Sequence, residues 1–374
     1  MLDVHRWLKF EEGVIDRTRD ATKIQRSAYL PEGAIPIIDQ GQEFIAGYTN
    51  DLEVAYRGTL PVVLFGDHTR ALKYIDFPFA AGADGIKVLE PCREIEARFL
   101  WYFLRSQTLP NDGYSRHFKH LRALQVPVTS IESQRHAIDV LSRAENIVRM
   151  RRQAEQKAKE IIPALFLDMF GDPATNPKGW VFRAIGDAAE IQGGLQVTTK
   201  RAILPLELPY LRVANVHRTH LDLSEIKLIR ATEAELNRTR LLPGDLLVIE
   251  GHGNPAEIGR VGIWPGGIDP CVHQNHLIRV RCTPASFHPI YVWAYLNSED
   301  GRRFLLREGK TTSGLNTISV SNVKGVKVPA PPIALQQEFA RRIEEINALQ
   351  ASQHAASSLA NQTFQSLLSG VFAQ

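Results

Sequence analysis

The feature that most constrains this chain is that it repeats itself. Val126-Pro127-Val128-Thr129-Ser130-Ile131-Glu132-Ser133-Gln134 returns as Val328-Pro329-Ala330-Pro331-Pro332-Ile333-Ala334-Leu335-Gln336, a shift of 202 residues. Carried on without a gap, that shift lays Leu165 on Leu367, Phe166 on Leu368 and Phe170 on Phe372. Upstream, Trp101-Tyr102-Phe103-Leu104-Arg105-Ser106 resembles Trp293-Ala294-Tyr295-Leu296-Asn297-Ser298 at a shift of 192, and Ile86-Lys87-Val88 lies over Ile278-Arg279-Val280. The two shifts differ by an insertion in a connecting loop. A self-similar chain folds as one unit built more than once, so the fold is expected to be two diverged copies of one unit.

Both copies read in the same order. A mixed region comes first, with short apolar runs such as Leu60-Pro61-Val62-Val63-Leu64-Phe65 and Leu246-Leu247-Val248-Ile249 between Gly, Pro and Asp, as strands and turns require. A long helical segment follows, from about Ile131 to Phe170 in the first copy and from about Ile333 to Phe372 in the second. Thr129 and Glu132 are spaced as a capping box, and Pro332 suits a first helical position.

Alternating steps of four and three pick out one seam along the first helix: Ala137, Leu141, Ala144, Val148, Arg151, Glu155, Ala158, Ile162, Leu165, Met169. The 202-residue shift turns it into Phe339, Ile343, Ile346, Gln350, Gln353, Ser357, Ala360, Phe364, Leu367, Val371. Both seams are apolar at the ends and polar in the middle, which fits a coiled coil with a register-setting polar layer. Two copies related by a pseudo-twofold axis would run the helices antiparallel, Ala144 facing Phe364 and Ala137 facing Val371. Each helix of about 40 residues would reach about 60 Å. Pro163 is expected to kink the first helix near its end.

The bulk numbers exclude several classes. A hydrophobic fraction of 44% suits a soluble globular protein. No apolar run approaches the roughly 20 residues of a membrane span, and Met1-Leu2-Asp3-Val4-His5-Arg6-Trp7 lacks the pattern of a secretion signal. Three cysteines, Cys92, Cys271 and Cys282, make no C-x-x-C pair, which argues against a disulfide framework or a zinc site and for the cytoplasm. A net charge of +3 leaves nucleic-acid binding open, since a modest charge serves if the basic residues share a face or if a partner supplies more charge.

Catalytic signatures fail one after another. A base methyltransferase needs a glycine-rich cofactor loop and an N-P-P-Y-like or P-C-like strip; Asn176-Pro177-Lys178 is the nearest approach and sits in a turn-like linker. Gly251-His252-Gly253-Asn254-Pro255-Ala256-Glu257-Ile258-Gly259 lacks the G-K-[ST] ending of a nucleotide loop. Glu225-Ile226-Lys227 with Asp222 upstream lacks the Pro-Asp element of a metal nuclease. His68, His117, His120, His252, His273 and His276 show no metal-ligand spacing. The expectation is no catalytic residue, no metal and no cofactor.

With the repeat in hand, the chain resembles the specificity subunits of bacterial and archaeal type I restriction–modification systems over nearly its whole length. Phe65-Gly66-Asp67-His68-Thr69-Arg70 followed by Phe79-Ala80-Ala81-Gly82-Ala83-Asp84-Gly85-Ile86-Lys87-Val88 resembles the family's target-recognition domain. In the second copy Gly171-Asp172-Pro173 through Asn176-Pro177-Lys178-Gly179-Trp180, then Tyr210-Leu211-Arg212-Val213-Ala214-Asn215-Val216, then Pro243-Gly244-Asp245-Leu246-Leu247, follow in the family's order. Pro127 to Gln134 and Pro329 to Gln336 resemble its helix openings.

The resemblance implies an α+β fold: two target-recognition domains of mixed α/β structure in pseudo-twofold repeat, separated by two long antiparallel helices forming a coiled coil. The expected segments are 1–130 and 171–330 for the recognition domains, and 131–170 and 331–374 for the spacer helices. It also implies partners: double-stranded DNA, two methyltransferase (modification) subunits and, joining them, two restriction subunits, with no membrane. The trimer would methylate adenine in a split target, each domain reading one half-site. Half-sites one turn apart lie about 34 Å from each other, within the reach of the helices.

Major-groove reading favours Arg, Lys, Asn and Gln, while phosphates take Lys, Arg and hydroxyls. The candidates in the first copy are His68, Arg70 and Lys73, with Arg116, His117 and Lys119 as a second patch. In the second they are Arg212, Asn215, His252, Asn254, Gln274, Asn275, Lys310, Thr312 and Asn316. Leu141, Val148, Ile162, Leu165, Ile343, Ile346, Phe364 and Leu367 are the candidate seam. Two rivals stand beside this reading. A divergent DNA methyltransferase or nuclease would bind cofactor or metal as the isolated chain; a coiled-coil adaptor would show no DNA-dependent assembly.

Overall fold

Strands buried on both faces carry continuous apolar runs, and two such strands organise this protein. The computed structural model describes residues 2–82, 85–113, 115–218, 220–254, 257–308, 310–312 and 315–373, without the side chains of residues 308, 310–312, 315 and 316. The helices that position the site are α1 (Ala97–Ser106), α2 (Ile131–Ala158), α3 (Ile161–Phe170), α4 (Pro289–Asn297) and α5 (Ile333–Val371). By internal packing the chain divides into two units, Met1–Gln153 with His354–Gln374, and Ala154–Gln353. The protein is of mixed α+β class.

In the first unit, a four-stranded antiparallel sheet runs in the order Val14–Asp16, Ile86–Pro91, Val62–Gly66, Leu72–Ile75. Side chains alternate across a strand, so Val63, Phe65 and Leu89 enter one core while Val62, Leu64 and Val88 enter another. The first core is closed by Phe99, Leu100, Phe103 and Leu104 of α1. A three-stranded sheet pairs Ile35–Ile38 antiparallel with Gly47–Thr49 and parallel with Ala80–Ala81. A two-stranded pair, Arg6–Lys9 with Gln125–Val128, leads into α2.

The second unit has the same strand orders. Its four-stranded sheet is Ala189–Gly193, Leu277–Cys282, Leu246–Ile249, Val261–Ile263. Leu246 and Val248 face one core, and Leu247 and Ile249 another. Leu206–Leu211 pairs antiparallel with Lys227–Ala231 and parallel with Val272–His273. Phe182–Ala184 pairs with Lys327–Pro329 ahead of α5. One sheet is extra: Gly251–His252, Leu315–Thr317 and Lys310–Thr312.

Each unit couples its short helix to a long one through a wholly buried glutamine. Gln134 donates to the carbonyls of Glu94 (2.7 Å) and Thr129 (3.0 Å) and accepts from the Glu96 N–H (2.8 Å). Gln336 donates to the carbonyls of Ser286 (3.4 Å) and Pro331 (2.8 Å) and accepts from the His288 N–H (2.8 Å). Both carboxamides satisfy backbone groups at the start of a short helix that lack partners inside it.

The long segments pack in reversed directions within each unit. In the first unit Gln134 meets the start of α1 and Glu145 pairs with Arg105 at its end, so α2 runs with α1. Phe372 rests on Phe99 (5.2 Å) and Phe103 (5.7 Å), while Phe364 lies under Arg105, so the end of α5 runs against both. In the second unit Phe339 packs edge-on against Phe166 (5.9 Å) and Phe170 (5.2 Å) of α3, and Gln350 reaches back to the Ala158 carbonyl (2.8 Å). Leu141, Val148, Ile343 and Phe364 are buried, and Ile162, Leu165, Ile346 and Leu367 are half-buried.

Two local expectations are corrected. The first long segment is two helices, not one kinked helix. Lys159 and Glu160 turn back onto the carbonyls of Gln156 and Lys157 between α2 and α3. The Pro163 ring would strike the carbonyl four residues before it, that of Lys159, and the break falls there. The freed Ala158 carbonyl is the one that Gln350 caps. The capping box is also displaced: Ser130 Oγ accepts from the Ser133 N–H (3.1 Å), while Thr129 is buried and donates to the Asp3 carbonyl (2.6 Å).

Candidate nucleic-acid interface

The strand Val62–Gly66 ends in a turn, Asp67 to Ala71, that carries two of the candidates, His68 and Arg70. Arg70 holds it in a left-handed conformation (φ 60°), its N–H donating to the Gly66 carbonyl (2.7 Å). The turn is tied to the loop before the helix Phe118–Arg122. Asp67 is buried; its carboxylate accepts from the Phe118 N–H (2.8 Å) and its carbonyl from the His117 N–H (2.8 Å). Its role is therefore a long-range tie, beyond the local turn. His68 Nδ1 lies 3.2 Å from the Ser115 carbonyl. Arg70 remains half-buried, one guanidinium nitrogen 3.4 Å from the Leu109 carbonyl.

Two candidates of this patch are corrected. Lys73 is 5% exposed, and its ammonium donates to the carbonyls of Asp39 and Glu43. Burial pulls its pKa below the usual lysine value. His117 is wholly buried, its Nδ1 3.0 Å from the Asp67 carbonyl. Both hold loops in place; neither reaches solvent to touch DNA. Arg116 is exposed, and Lys119 is exposed but paired with Asp112 (2.9 Å). Hydrogen bonds from Lys119 and His120 hold the Asp112 carboxyl down to about 2.

In the second unit the strand Leu246–Ile249 ends at Glu250 in the same fashion. The Glu250 N–H donates to the His276 carbonyl (2.9 Å), as that of Asp67 does to Gly85 (2.6 Å), and its carbonyl accepts from the Ile318 N–H (2.8 Å). Gly251 and His252 then pair with Thr317 and Asn316. His252 Nδ1 accepts from the Asn254 N–H (2.9 Å), which leaves the ring proton of the neutral form on Nε2, a donor. His252 is half-buried and Asn254 exposed.

Gln274 and Asn275 stand beside this hairpin, half-buried, their N–H groups fixed to the carbonyls of Leu211 (2.9 Å) and Leu195 (2.9 Å). Gly194 passes so near the His273 and Gln274 carbonyls that a β-carbon would overlap them. The stretch after His273 thereby has a fixed backbone and carries two half-buried amides. Lys310, Thr312 and Asn316 lie on the paired strands Lys310–Thr312 and Leu315–Thr317, their side chains outside the described set, as are Pro255, Ala256, Ser313 and Gly314. Arg212 is half-buried and paired with Glu225.

Asn215 is a third correction. It is 3% exposed: its Oδ1 accepts from the Arg212 N–H (2.9 Å) and its amide donates to the carbonyls of Asp222 (2.8 Å) and Glu225 (3.0 Å). It shapes the turn after Leu206–Leu211, both its amide hydrogens are spent, and its burial keeps it from a base. Glu250 is the residue that the sequence reading passed over. Burial raises its carboxyl to about 7, and no side-chain partner faces it among the described residues. The signal was available, an acid closing a wholly apolar strand at the place where the other copy has Asp67.

Chemically, each unit offers a strand end and two tied loops presenting neutral donors, amides and a few cations: groups that read edges and phosphates. Among the described residues no group of three or more His, Cys, Asp or Glu could hold a metal, and no helix is long and apolar enough to cross a membrane.

No family model matches the chain. Its relatives are nonetheless consistent. The specificity subunit of the type I restriction enzyme EcoKI from Escherichia coli K12 is 34% identical over 143 residues, which is 37% of this chain and 30% of that subunit. The specificity subunit of the EcoR124I/EcoR124II enzymes of Escherichia coli is 23% identical over 373 residues, 92% of this chain and 87% of that one. Among solved structures, the S subunit of a type I restriction–modification system from M. genitalium has a TM-score of 0.60 at 13% identity, covering 100% of this chain and 97% of that one. That last likeness is one of fold. The chain is similar, in sequence and in fold, to type I specificity subunits.

Proposed function

We propose that this chain is the specificity subunit of a type I restriction–modification complex, a cytoplasmic DNA-binding protein that reads a split target. Residues 1–130 and 171–330 are the two target-recognition domains, and 131–170 and 331–374 the spacer segments. The chain supplies no catalytic group, metal or cofactor. It docks two modification subunits, which methylate adenine, and two restriction subunits can join them.

One observation carries the reading: similarity to the EcoR124I/EcoR124II specificity subunit runs through 92% of the chain, across both copies of the repeat. The doubled strand orders support two readers. The buried seam and the reversed helix directions in each unit support an antiparallel coiled coil along α2, α3 and α5, with Gln350 in its polar layer. Neutral donors at strand ends support base reading; a modest net charge of +3 is compatible with DNA binding if the basic residues share a face or the partners supply more charge.

The test is selection from a random duplex library by the chain copurified with its modification subunits, at fixed salt. Two short sequence elements at a fixed separation are expected. Absence of any enriched sequence would refute the reading, and methyl transfer by the isolated chain would establish the enzyme in its place.

A further inference from the structure

Glu250 and Asp67 occupy the same place in the two copies, yet their carboxyl groups have different work. Each follows the central strand of its four-stranded sheet, and each has its N–H and carbonyl bonded to the two flanking loops. Asp67 spends its carboxylate on the Phe118 N–H at the start of the helix Phe118–Arg122. The corresponding helix Val320–Gly325 is capped by its own residue: Ser319 Oγ accepts from the Asn322 N–H (3.1 Å). Glu250 is thus relieved of the capping role by Ser319, and no described side chain partners its carboxyl.

A half-buried carboxyl without a partner is costly. The cost shows in its titration, since burial alone raises Glu250 to about 7. Such a group persists where function needs it. The backbone around it is fixed on both sides, by Ile249 in the sheet and by Gly251 paired with Thr317. The loops meeting there carry His252, Gln274, Asn275 and Asn316. A DNA duplex offers a carboxylate no complement on its phosphates, which repel it. It offers one in the major groove, where cytosine N4 and adenine N6 are hydrogen-bond donors.

Resting on the DNA-reading assignment above, we infer that Glu250 is a specificity-determining residue of the second unit, accepting a hydrogen bond from the exocyclic amino group of one cytosine or adenine in the major groove. The fixed strand end sets the depth to which the carboxylate reaches, and the hairpin residues His252 and Asn254 flank it.

The test is the same library selection with the complex of the wild-type chain and of the variants Glu250→Gln and Glu250→Ala, each checked by thermal melting. The wild type is expected to prefer one base pair in one orientation, with cytosine or adenine on the strand that Glu250 faces. Glu250→Ala is expected to lose about tenfold or more of that preference. Glu250→Gln, which keeps an acceptor and adds a donor, is expected to lose a preference for cytosine and to keep or gain one for adenine. Every other position is expected to stay unchanged in both. Unchanged preference at all positions in a Glu250→Ala chain that melts like the wild type would overturn the inference, as would equal weakening at all positions of that element, the mark of a merely structural role. A wild type that selects no sequence would instead refute the DNA-reading assignment itself.

Discussion

Replacing Gln134 by alanine should destabilise the first unit more than almost any other single truncation of a polar side chain. Gln134 is wholly buried and makes three hydrogen bonds to backbone groups, at 2.7, 3.0 and 2.8 Å. Truncation strands the Glu94 and Thr129 carbonyls and the Glu96 N–H inside the fold. At about 1–2 kcal/mol for each buried group left unsatisfied, the loss is about 3–6 kcal/mol, a large share of the roughly 5–15 kcal/mol that holds a domain folded. Gln134→Glu is a sharper probe. It keeps an acceptor for the Glu96 N–H but offers no donor when ionised, so the damage should be greater at pH 8 than at pH 5, where a protonated carboxyl donates once. Urea unfolding of the full-length chain, with hydrogen exchange assigning the loss to each unit, measures both effects. Gln336→Ala should do to the second unit what Gln134→Ala does to the first. A loss below about 1 kcal/mol from either substitution would refute the staple and the equivalence built on it.

His273 is wholly buried and neutral, its Nδ1 3.0 Å from the Leu277 carbonyl, and burial holds its pKa down to about 4. The unfolded chain takes up that proton near 6.5, so this contribution is complete above pH 6.5 and is lost as pH falls towards 4. About 3 kcal/mol should disappear across that window, seen as a lower melting temperature of the second unit at pH 4.5 than at pH 7.5; equal melting would contradict it. Gln350→Leu should cost about 1–2 kcal/mol, because it leaves the Ala158 carbonyl uncapped at the helix break, and chemical denaturation reads this directly. One heptad inserted after Val148 and one after Ala360 keeps the seam's phase and adds about 10 Å at 1.5 Å per residue. Library selection should then return the same two elements with a gap about three base pairs wider (about 3.4 Å each), whereas an unchanged gap would leave the helices no part in setting it.

What the sequence disclosed and what it hid divide along a physical line. Apolar runs and helical periodicity are local, so the strands at Val62 and Leu246 and the long helical segments from Ile131 and Ile333 were legible. Pro163 announced a disruption, but its clash lies four residues upstream, and the helix breaks at Lys159 and Glu160. Lys73 looked like a loop cation. It is buried because it shares the inward parity of Ile75 and because carbonyls from Asp39 and Glu43, more than 25 residues away, converge on it. Parity was a usable signal there. His117 and Asn215 gave none: their partners at Asp67, Asp222 and Glu225 are set by tertiary turns. Glu250 escaped notice because phosphate and base-edge readout point first to Arg, Lys, Asn and Gln; that its carboxyl has no described side-chain partner is visible only in the folded unit.

As a specificity subunit, the chain would direct methylation to a split target. Sequencing the methylated bases of the host genome, with the gene intact and with it deleted, tests this most directly. The account predicts that deletion removes methyladenine from one motif of two short elements with a fixed gap, and from no other. A methylation pattern identical in the two strains, or the loss of a continuous motif, would contradict it.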